Sequence, residues 1–300
     1  MSTAGPVTSP NAVPAAKTEF DPRRLYTALV LIPSLYAIIR YLPPMACTVL
    51  AFVIAALALT EFYRLCLGER ASRLLMGIGY GITGLWFAGY HLGGLGIDTL
   101  FLAVVLTLLI PLVTTAGIQH RVADSAVTVM GILYIGGAMS YLIRLRGYPG
   151  GELMILFVLL ATIASDTGAY YVGKTLGRHP LAPSISPKKT IEGLIGGLAL
   201  TVAAVYVARA WFPVLELTLL DSLILGTILT LAGLAGDLTE SAVKRSVGVK
   251  DSGGLLPGHG GMLDRIDSLL FTAPAFYYYL WLNGVTPPDG LGGTRVRKSL

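Results

Sequence analysis

The sequence predicts an all-α, polytopic membrane protein with about nine transmembrane helices. Of its 300 residues, 54% are hydrophobic and only 13% are charged, whereas a soluble domain carries about 25% charged residues. The mean hydropathy is +0.70, and apolar runs of the ~20 residues needed to cross a bilayer recur along the whole chain. The predicted spans are 25–43, 45–66, 74–92, 97–117, 125–143, 153–173, 191–212, 219–236 and 266–283.

These spans form two regions between two tails. Residues 1–20 are rich in Pro, Ala, Ser and Thr and are expected to form a disordered tail, since they lack the charged start and apolar stretch of a signal peptide. Residues 21–150 are predicted to form an N-terminal transmembrane bundle with short connections. Residues 151–285 form the second transmembrane region, which carries long polar loops and the candidate catalytic residues. Residues 286–300 form a C-terminal tail.

The distribution of positive charge orients the spans. With the N-terminus inside, the cytoplasmic segments hold 15 of the 22 lysines and arginines, as the positive-inside rule requires. Arg295, Arg297 and Lys298 fall outside in a nine-span arrangement, and an even number of spans would remove this misfit. The net charge of +5 also suits contact with an anionic leaflet. We therefore expect the polar loops 174–190 and 237–265 to face the cytoplasm.

Two glycine motifs match nucleotide-binding patterns but lack the structural context of such sites. Residues 79–84 read GxGxxG inside an apolar span without a preceding strand. Close helix packing explains them better, and the pairs 77/81 and 193/197 have the GxxxG spacing of such packing. Residues 168–175 match the P-loop pattern, but bulky side chains fill the would-be loop. The helix is therefore expected to continue to Gly173.

Asp166 is the first candidate functional residue, near the cytoplasmic end of the sixth span. Ionisable groups inside a span are costly and usually face a cavity or a pathway. Neutralisation by a neighbouring Lys or Arg for structure alone is the alternative. Glu61, near the inner end of the second span, gives a weaker signal, because a simple pair with Arg64 explains it at least as well.

The second candidate is the segment 186–193, which reads SPKKTIEG. Pro187 prevents a helix before it, so the seventh span is expected to begin near Thr190. Paired lysines at a helix N-terminus suit a phosphate group through both their charge and the free amides. An ordinary positive-inside anchor would explain the lysines alone. The candidate binding residues are Ser186, Lys188, Lys189, Thr190 and Glu192.

The third candidate is the polar segment that follows the eighth span. Asp237 and Ser241 are spaced i, i+4 and Lys244 lies three residues further, so one helical face offers a carboxylate, a hydroxyl and an ammonium group. Asp264 and Asp267 are spaced i, i+3 and also share a face. Six glycines between residues 241 and 267 allow a loop to approach a ligand closely. The remaining candidates are Arg245, Lys250, Asp251, His259, Gly260, Gly261 and Arg265.

Together these residue types predict a metal-dependent phosphotransfer enzyme that acts on a lipid at the cytoplasmic face. Such transfers depend on carboxylates that hold Mg²⁺ and on cations that bind phosphates, without a covalent nucleophile. A transporter of an anionic lipid or nucleotide is one alternative, and it would move its substrate without releasing pyrophosphate. A lipid enzyme that transfers a phosphoalcohol from a CDP-lipid is another, but its DG, two residues, AR pattern is not found here.

The order of these residues resembles the signature of the phosphatidate cytidylyltransferase family (CDP-diacylglycerol synthases). Residues 241–267 read SxVKR, four residues, KDxG, then LPGHGG, two residues, DRxD. The blocks 165–173, 186–193 and 236–241 are similar to those of the family as well. The resemblance covers residues 153–283, and the N-terminal half matches only in being a multi-span bundle.

The resemblance implies that CTP and phosphatidate react to give CDP-diacylglycerol and pyrophosphate. It implies Mg²⁺ as cofactor, with one or two ions held by Asp237, Asp264 and Asp267, and with Asp166 close by. The expected partners are CTP, phosphatidate, the lipid bilayer and a second copy of the chain in a homodimer, with no nucleic acid. The expected location is the plasma (inner) membrane, with the active site toward the cytoplasm. The implied phosphate-binding cations are Lys188, Lys189, Lys244, Arg245 and Lys250, while Arg265 would brace the aspartates and Asp251 and His259 complete the catalytic set.

Overall fold

The computed structural model describes residues 22–91, 101, 104–109, 120–211, 217–253 and 260–285, and within them the fold is almost entirely helical. The first five helices come from the N-terminal half, and a π-helical turn, Ile132–Gly137, joins α4 to α5. The helices are α1 Pro22–Tyr41, α2 Pro44–Leu67, α3 Arg73–His91, α4 Arg121–Gly131, α5 Ala138–Arg146, α6 Gly151–Leu176, α7 Ile191–Ala208, α8 Leu219–Ser246, α9 Leu263–Ile266 and α10 Leu269–Leu282.

The helices confirm an all-α, multi-pass membrane protein but not the count of nine spans. Five stretches of the described residues are long and apolar enough to cross a bilayer. Helices α1 and α3 coincide with predicted spans but fall outside this group, and α10, with 14 residues, is shorter than the ~20 residues a span needs. The predicted span 97–117 lies mostly outside the described residues. The five stretches are Pro44–Arg70, Val122–Arg146, Gly151–Leu176, Ile191–Ala208 and Leu219–Ser246.

A short antiparallel hairpin is the one described departure from an all-helical chain. It consists of β1, Pro180–Ala182, and β2, Ser186–Thr190, with Pro180 opposite Thr190. Proline lacks an N–H and cannot continue a helix, and Pro180 and Pro187 lie in the two strands. The predicted loop 174–190 is therefore an ordered arm that brings the end of β2 back to the helices.

Helices α6 and α8 both extend beyond the ends of their predicted spans. Helix α6 runs through the P-loop-like stretch to Leu176, which confirms that this stretch is helical. Helix α8 continues past the end of its predicted span at residue 236 to Ser246, so the first ten residues of the second polar loop are helical, as the predicted helical face of Asp237 and Ser241 requires. Residues 237–246 contain no Gly or Pro, and a change from apolar to polar residues does not by itself end a helix.

Glycines allow α6 and α7 to pack backbone against backbone. A Cβ atom at Gly168 would lie 2.4 Å from the carbonyl oxygen of Gly196, and one at Gly197 would lie 2.9 Å from that of Ser165. This close approach confirms the packing interpretation for the 193/197 pair. The packing interpretation is wrong for Gly77 and Gly81, where a Cβ atom would meet nothing within 4 Å.

The two halves of the chain share one apolar core and are also joined by ion pairs. Phe157 of α6 stacks on Phe276 of α10 with ring centroids 5.0 Å apart, while apolar side chains such as Ile163 remain exposed on the outer surface, as expected of helices that face lipid. Arg40 and Arg146 both pair with Glu152 at 3.3 and 3.4 Å. All three belong to segments that the charge distribution places outside, so the contacts are consistent with the predicted alternation.

We predict that Gly196→Val lowers the stability of the protein, because the added side chain would meet Val172 and the Gly168 carbonyl at 2.4 and 2.8 Å. Overpacking of this kind costs about 1–3 kcal/mol. Thermal unfolding in detergent measures the effect, and Gly81→Val, at an open and exposed position of α3, is the matched control. Equal melting temperatures for both variants would contradict the packing described here.

Candidate active site

A cavity of about 590 Å³ lies between α6, α7, α8 and the hairpin. Its walls are mixed, because small and apolar residues such as Ala169, Gly193 and Leu234 alternate with charged ones. The cavity brings together residues that the sequence predicted separately from three segments of the chain. The charged and hydroxyl-bearing residues that line it are Ser165, Asp166, Tyr170, Lys174, Ser186, Lys188, Lys189, Thr190, Thr230 and Asp237.

The ion pair between Lys189 and Asp237 joins the hairpin to α8 inside this cavity. Lys189 comes from β2 and Asp237 from the part of α8 beyond its predicted span, so the pair needs both the hairpin and the continuation of this helix. The hydroxyl of Ser241, one turn further, donates to Asp237 at a long 3.5 Å. Asp237 and Ser241 thus share the predicted helical face, but Lys244 turns to other partners.

Thr190 and Glu192 both order the chain at the start of α7, and only Thr190 also lines the cavity. The Thr190 hydroxyl caps the helix by accepting the Gly193 amide at 3.1 Å, in the usual manner of an N-cap residue. The carboxylate of Glu192 accepts the backbone amides of Arg178 and His179 at 3.1 and 3.2 Å. Glu192 does not line the cavity, so its contacts fix the arm that carries the lysines.

A second charged cluster lies one to two turns further along α8. The Lys244 ammonium contacts Glu240 at 2.5 Å and Asp264 at 2.6 Å. Glu240 is only 1% exposed, and its second carboxylate oxygen, Oε1, has no hydrogen-bond partner within the described residues. A buried carboxylate of this kind depends on its cation. Lys244 therefore bridges the side chains of Glu240 and Asp264.

Asp264 is held by several donors besides Lys244. Its Oδ2 atom accepts the Ser252 amide at 3.2 Å, the Ser252 hydroxyl at 2.9 Å and the Gly261 amide at 3.1 Å. Burial raises the pKa of the Asp264 carboxyl, but the hydrogen bonds from Lys244 and Ser252 outweigh it and lower that pKa to about 2. Asp264 therefore carries a full negative charge at neutral pH.

Asp264 and Asp267 both face α8, as their spacing predicts, but they meet different residues. Asp264 lies against Lys244, while Asp267 interacts electrostatically with Asp237, Asp166 and Lys189. The backbone around Asp267 is close to α8, because a Cβ at Gly236 would lie 2.3 Å from the Asp267 carbonyl oxygen. The structure thus associates Asp267 with the carboxylates of the cavity and Asp264 with the second cluster.

The donor chemistry of the cavity fits a hard divalent cation, although no cage is preassembled. Within the described part of the chain, no three His, Cys, Asp or Glu side chains are already positioned to hold a metal ion. Mg²⁺, however, usually keeps several waters and is bound through one or two carboxylates together with substrate phosphates. Carboxylates such as Asp237 and Asp267 meet this smaller requirement.

The other predicted residues that the structure describes lie outside the cavity lining. Arg245 donates to the carbonyl oxygens of Val249 at 3.0 Å and Ile185 at 3.4 Å, so it braces the turn after α8 and the hairpin. Lys250, Asp251 and Arg265 are exposed. Gly260 has a positive φ of 80°, which favours glycine, and His259 lies outside the described residues.

Two acidic residues important to this arrangement escaped the sequence-based choice of site residues. The i, i+4 spacing of Glu240 and Lys244 could have revealed their pair. Glu61 has no such local signal, since it accepts the amides of Met262 and Leu263 at 2.9 and 2.8 Å, about two hundred residues away. The alternative of a simple Glu61–Arg64 pair is therefore wrong.

The fold and the cavity define a multi-pass membrane protein with a polar site suited to phosphate and divalent metal. The chain belongs to the cytidylyltransferase family, whose model matches residues 22–283.

Curated relatives agree with this assignment. The chain is 44% identical over 156 residues to the phosphatidate cytidylyltransferase of Bacillus subtilis, covering 51% of this chain and 57% of that protein. It is 39% identical over 191 residues to the protein of the same name from Synechocystis, covering 54% of this chain and 64% of that protein. An uncharacterized Escherichia coli protein is 47% identical over 132 residues, covering 44% of this chain and 43% of that protein. The chain thus spans about half the length of the curated relatives it matches.

We predict that Lys244→Met destabilises the protein by about 3–5 kcal/mol, because it removes the cation that contacts both the charged Asp264 and the buried Glu240. Chemical denaturation in detergent measures the loss. Lys250→Met, at an exposed position, is the matched control, and Lys244→Met combined with Glu240→Gln should recover part of the stability. A single variant as stable as the control would contradict the role assigned to Lys244.

Proposed function

We propose that this chain is a phosphatidate cytidylyltransferase, which transfers CMP from CTP to phosphatidate and produces CDP-diacylglycerol and pyrophosphate. The observation that carries the proposal is the cavity in which Asp166, Asp237, Lys188 and Lys189 meet beside bilayer-length helices. Cations for phosphates and carboxylates for a divalent ion are the two requirements of nucleotidyl transfer. The family and the names of its relatives support the same activity.

In the proposed reaction, a phosphate oxygen of phosphatidate forms a bond to the α-phosphorus of CTP. The bond from that phosphorus to the oxygen bridging the β-phosphate breaks, and pyrophosphate leaves with both electrons of the broken bond. No covalent intermediate with the protein is required. The task of the chain is therefore to bind two polyanions side by side and to neutralise their charge.

Lys188 and Lys189 are proposed to bind the phosphates of CTP and phosphatidate, at the end of the hairpin where α7 begins. The positive end of α7 adds to their attraction for anions. Lys189 would exchange its partner Asp237 for a phosphate group when a cation is bound to that carboxylate. The pair thus keeps both side chains in place before the substrates arrive.

We also propose Mg²⁺ as the cofactor, held by Asp237 and Asp267 with Asp166 close by. When bound, the ion would supply charge neutralisation of the transferring phosphate. Asp264 stays a predicted ligand, and its contact with Lys244 would first have to open. A single ion and a pair of ions both agree with this donor set.

The location and the assembly complete the proposal. The positive-inside count supports a cytoplasmic site in the plasma membrane, where CTP is available from the aqueous side and phosphatidate from the leaflet. A homodimer is proposed from the family resemblance alone.

Pyrophosphate release tests the proposal directly. The purified protein in detergent is given CTP, phosphatidate and Mg²⁺, and each component is omitted in turn. We expect release only with all three present, its loss on addition of EDTA, and CDP-diacylglycerol formed in equal amount. No release by folded protein, or release without phosphatidate, would contradict the proposed function.

The Lys189→Ala variant is the second arm of this experiment. Loss of a charge-assisted contact to phosphate should raise the KM for CTP or phosphatidate by about tenfold or more. Arg73→Ala removes an exposed cation outside the cavity and should leave both KM values unchanged. Equal KM values in the two variants would make Lys189 a topological anchor only.

A further inference from the structure

Glu61 is a buried carboxylate of the N-terminal half that contacts the glycine-rich segment of the C-terminal half. It lies near the end of α2 and is 5% exposed. Its Oε1 atom accepts the Met262 amide at 2.9 Å, and its Oε2 atom accepts the Leu263 amide at 2.8 Å. The Ser252 hydroxyl lies 3.1 Å from the same Oε2 atom. Glu61 thus contacts residues both before and after positions 254–259.

Two glycines allow this carboxylate to sit between the flanking backbones. A Cβ atom at Gly253 would lie 3.0 Å from Glu61 Oε1, and one at Gly261 would lie 2.0 Å from the Ser252 hydroxyl oxygen and 2.6 Å from Glu61 Oε2. Either would be too close to an oxygen whose position is already fixed by hydrogen bonds. The glycines at these two positions therefore leave room for the contacts of Glu61 and Ser252.

Ser252 connects Glu61 to Asp264. Its single hydroxyl lies 3.1 Å from Glu61 Oε2 and 2.9 Å from Asp264 Oδ2, so the two carboxylates compete for one proton donor. The Gly261 amide also donates to Asp264 at 3.1 Å. Glu61 and Asp264 therefore both hold the segments on either side of positions 254–259, and Asp264 in turn contacts Lys244.

The burial of Glu61 is not explained by stability of the helical bundle. Within the described residues, only N–H and O–H donors contact its carboxylate, and no Lys or Arg forms a salt bridge with it. Burial of a charge is costly, and an apolar side chain would pack the same space without that cost. Only a carboxylate provides two acceptor oxygens, one for the Met262 amide and one for the Leu263 amide.

We propose that Glu61 is a positioning residue, which fixes the residues flanking the glycine segment and, through Ser252, the carboxylate of Asp264. The inference rests on the proposed function for its effect on turnover, but not for its effect on the segment itself. Glu61 does not reach the cavity lining, so its loss should change the arrangement of reacting groups more than the binding of substrates.

Hydrogen–deuterium exchange of the full-length protein tests the structural half without any substrate. In Glu61→Gln, one of the two amides loses its acceptor, because the new NH₂ group cannot accept a hydrogen bond. We expect the peptide spanning 260–267 to exchange about tenfold faster or more, while peptides from α7 remain unchanged. Glu69→Gln, at an exposed position just after α2, is the control and should behave as the wild type. Exchange unchanged in Glu61→Gln would overturn the proposal.

Kinetics test the functional half. We expect kcat of Glu61→Gln to fall by about tenfold or more, since small displacements of reacting groups have effects of this size. Both KM values should stay within about threefold of the wild type. Glu61→Asp keeps the negative charge on a side chain that is one methylene shorter, so it should give an intermediate kcat. This variant replaces Glu61→Gln in the experiment if the Gln variant does not fold.

The possible failures are distinguishable. Faster exchange with unchanged kcat would overturn the positioning role, as would a change confined to KM. If the wild type itself releases no pyrophosphate, the proposed function fails, whereas the exchange data still decide whether Glu61 fixes the segment.

Discussion

The arrangement depends on neutralising carboxylates that are buried at the ends of membrane-length helices. Glu240 is almost fully buried and contacts Lys244, while the partly exposed Asp237 pairs with Lys189. Removing a carboxylate from water is so costly that each one needs a cation or several hydrogen-bond donors. This constraint brings the hairpin and α9 against α8, and it thereby assembles the charged cavity and the neighbouring cluster.

The cavity also requires a fixed distance between its charged groups. Close helix packing provides it. The backbone contact of Gly168 with Gly196 sets α6 against α7, so Asp166 on one helix and the lysines preceding the other line a single cavity. The N-terminal half takes part as well, because Glu61 holds the backbone near Asp264. The proposed chemistry therefore uses both halves of the chain, although the recognisable motifs lie in only one of them.

The sequence was sufficient for features governed by local chemistry and insufficient for those set by distant contacts. Apolar runs located the helices, and Thr190 at the start of α7 followed from Pro187 and the residues after it. The i, i+4 spacing placed Asp237 and Ser241 on one helical face, and α8 does continue past the predicted end of its span to Ser246. The role of Glu61 could not be predicted, because its partners lie about two hundred residues away. The separate partners of Asp264 and Asp267 likewise depend on where α8 passes.

In the proposed function, the carboxylates of the cavity bind a divalent cation together with a nucleoside triphosphate. Binding of Mn²⁺, followed by electron paramagnetic resonance on the purified protein with CTP present, tests it most directly. We expect Mn²⁺ to bind to the wild type and Asp237→Asn to weaken this affinity by about tenfold or more, as loss of a metal-binding group would. Equal Mn²⁺ affinity in the two proteins, or no Mn²⁺ binding by a protein that still binds CTP, would contradict it.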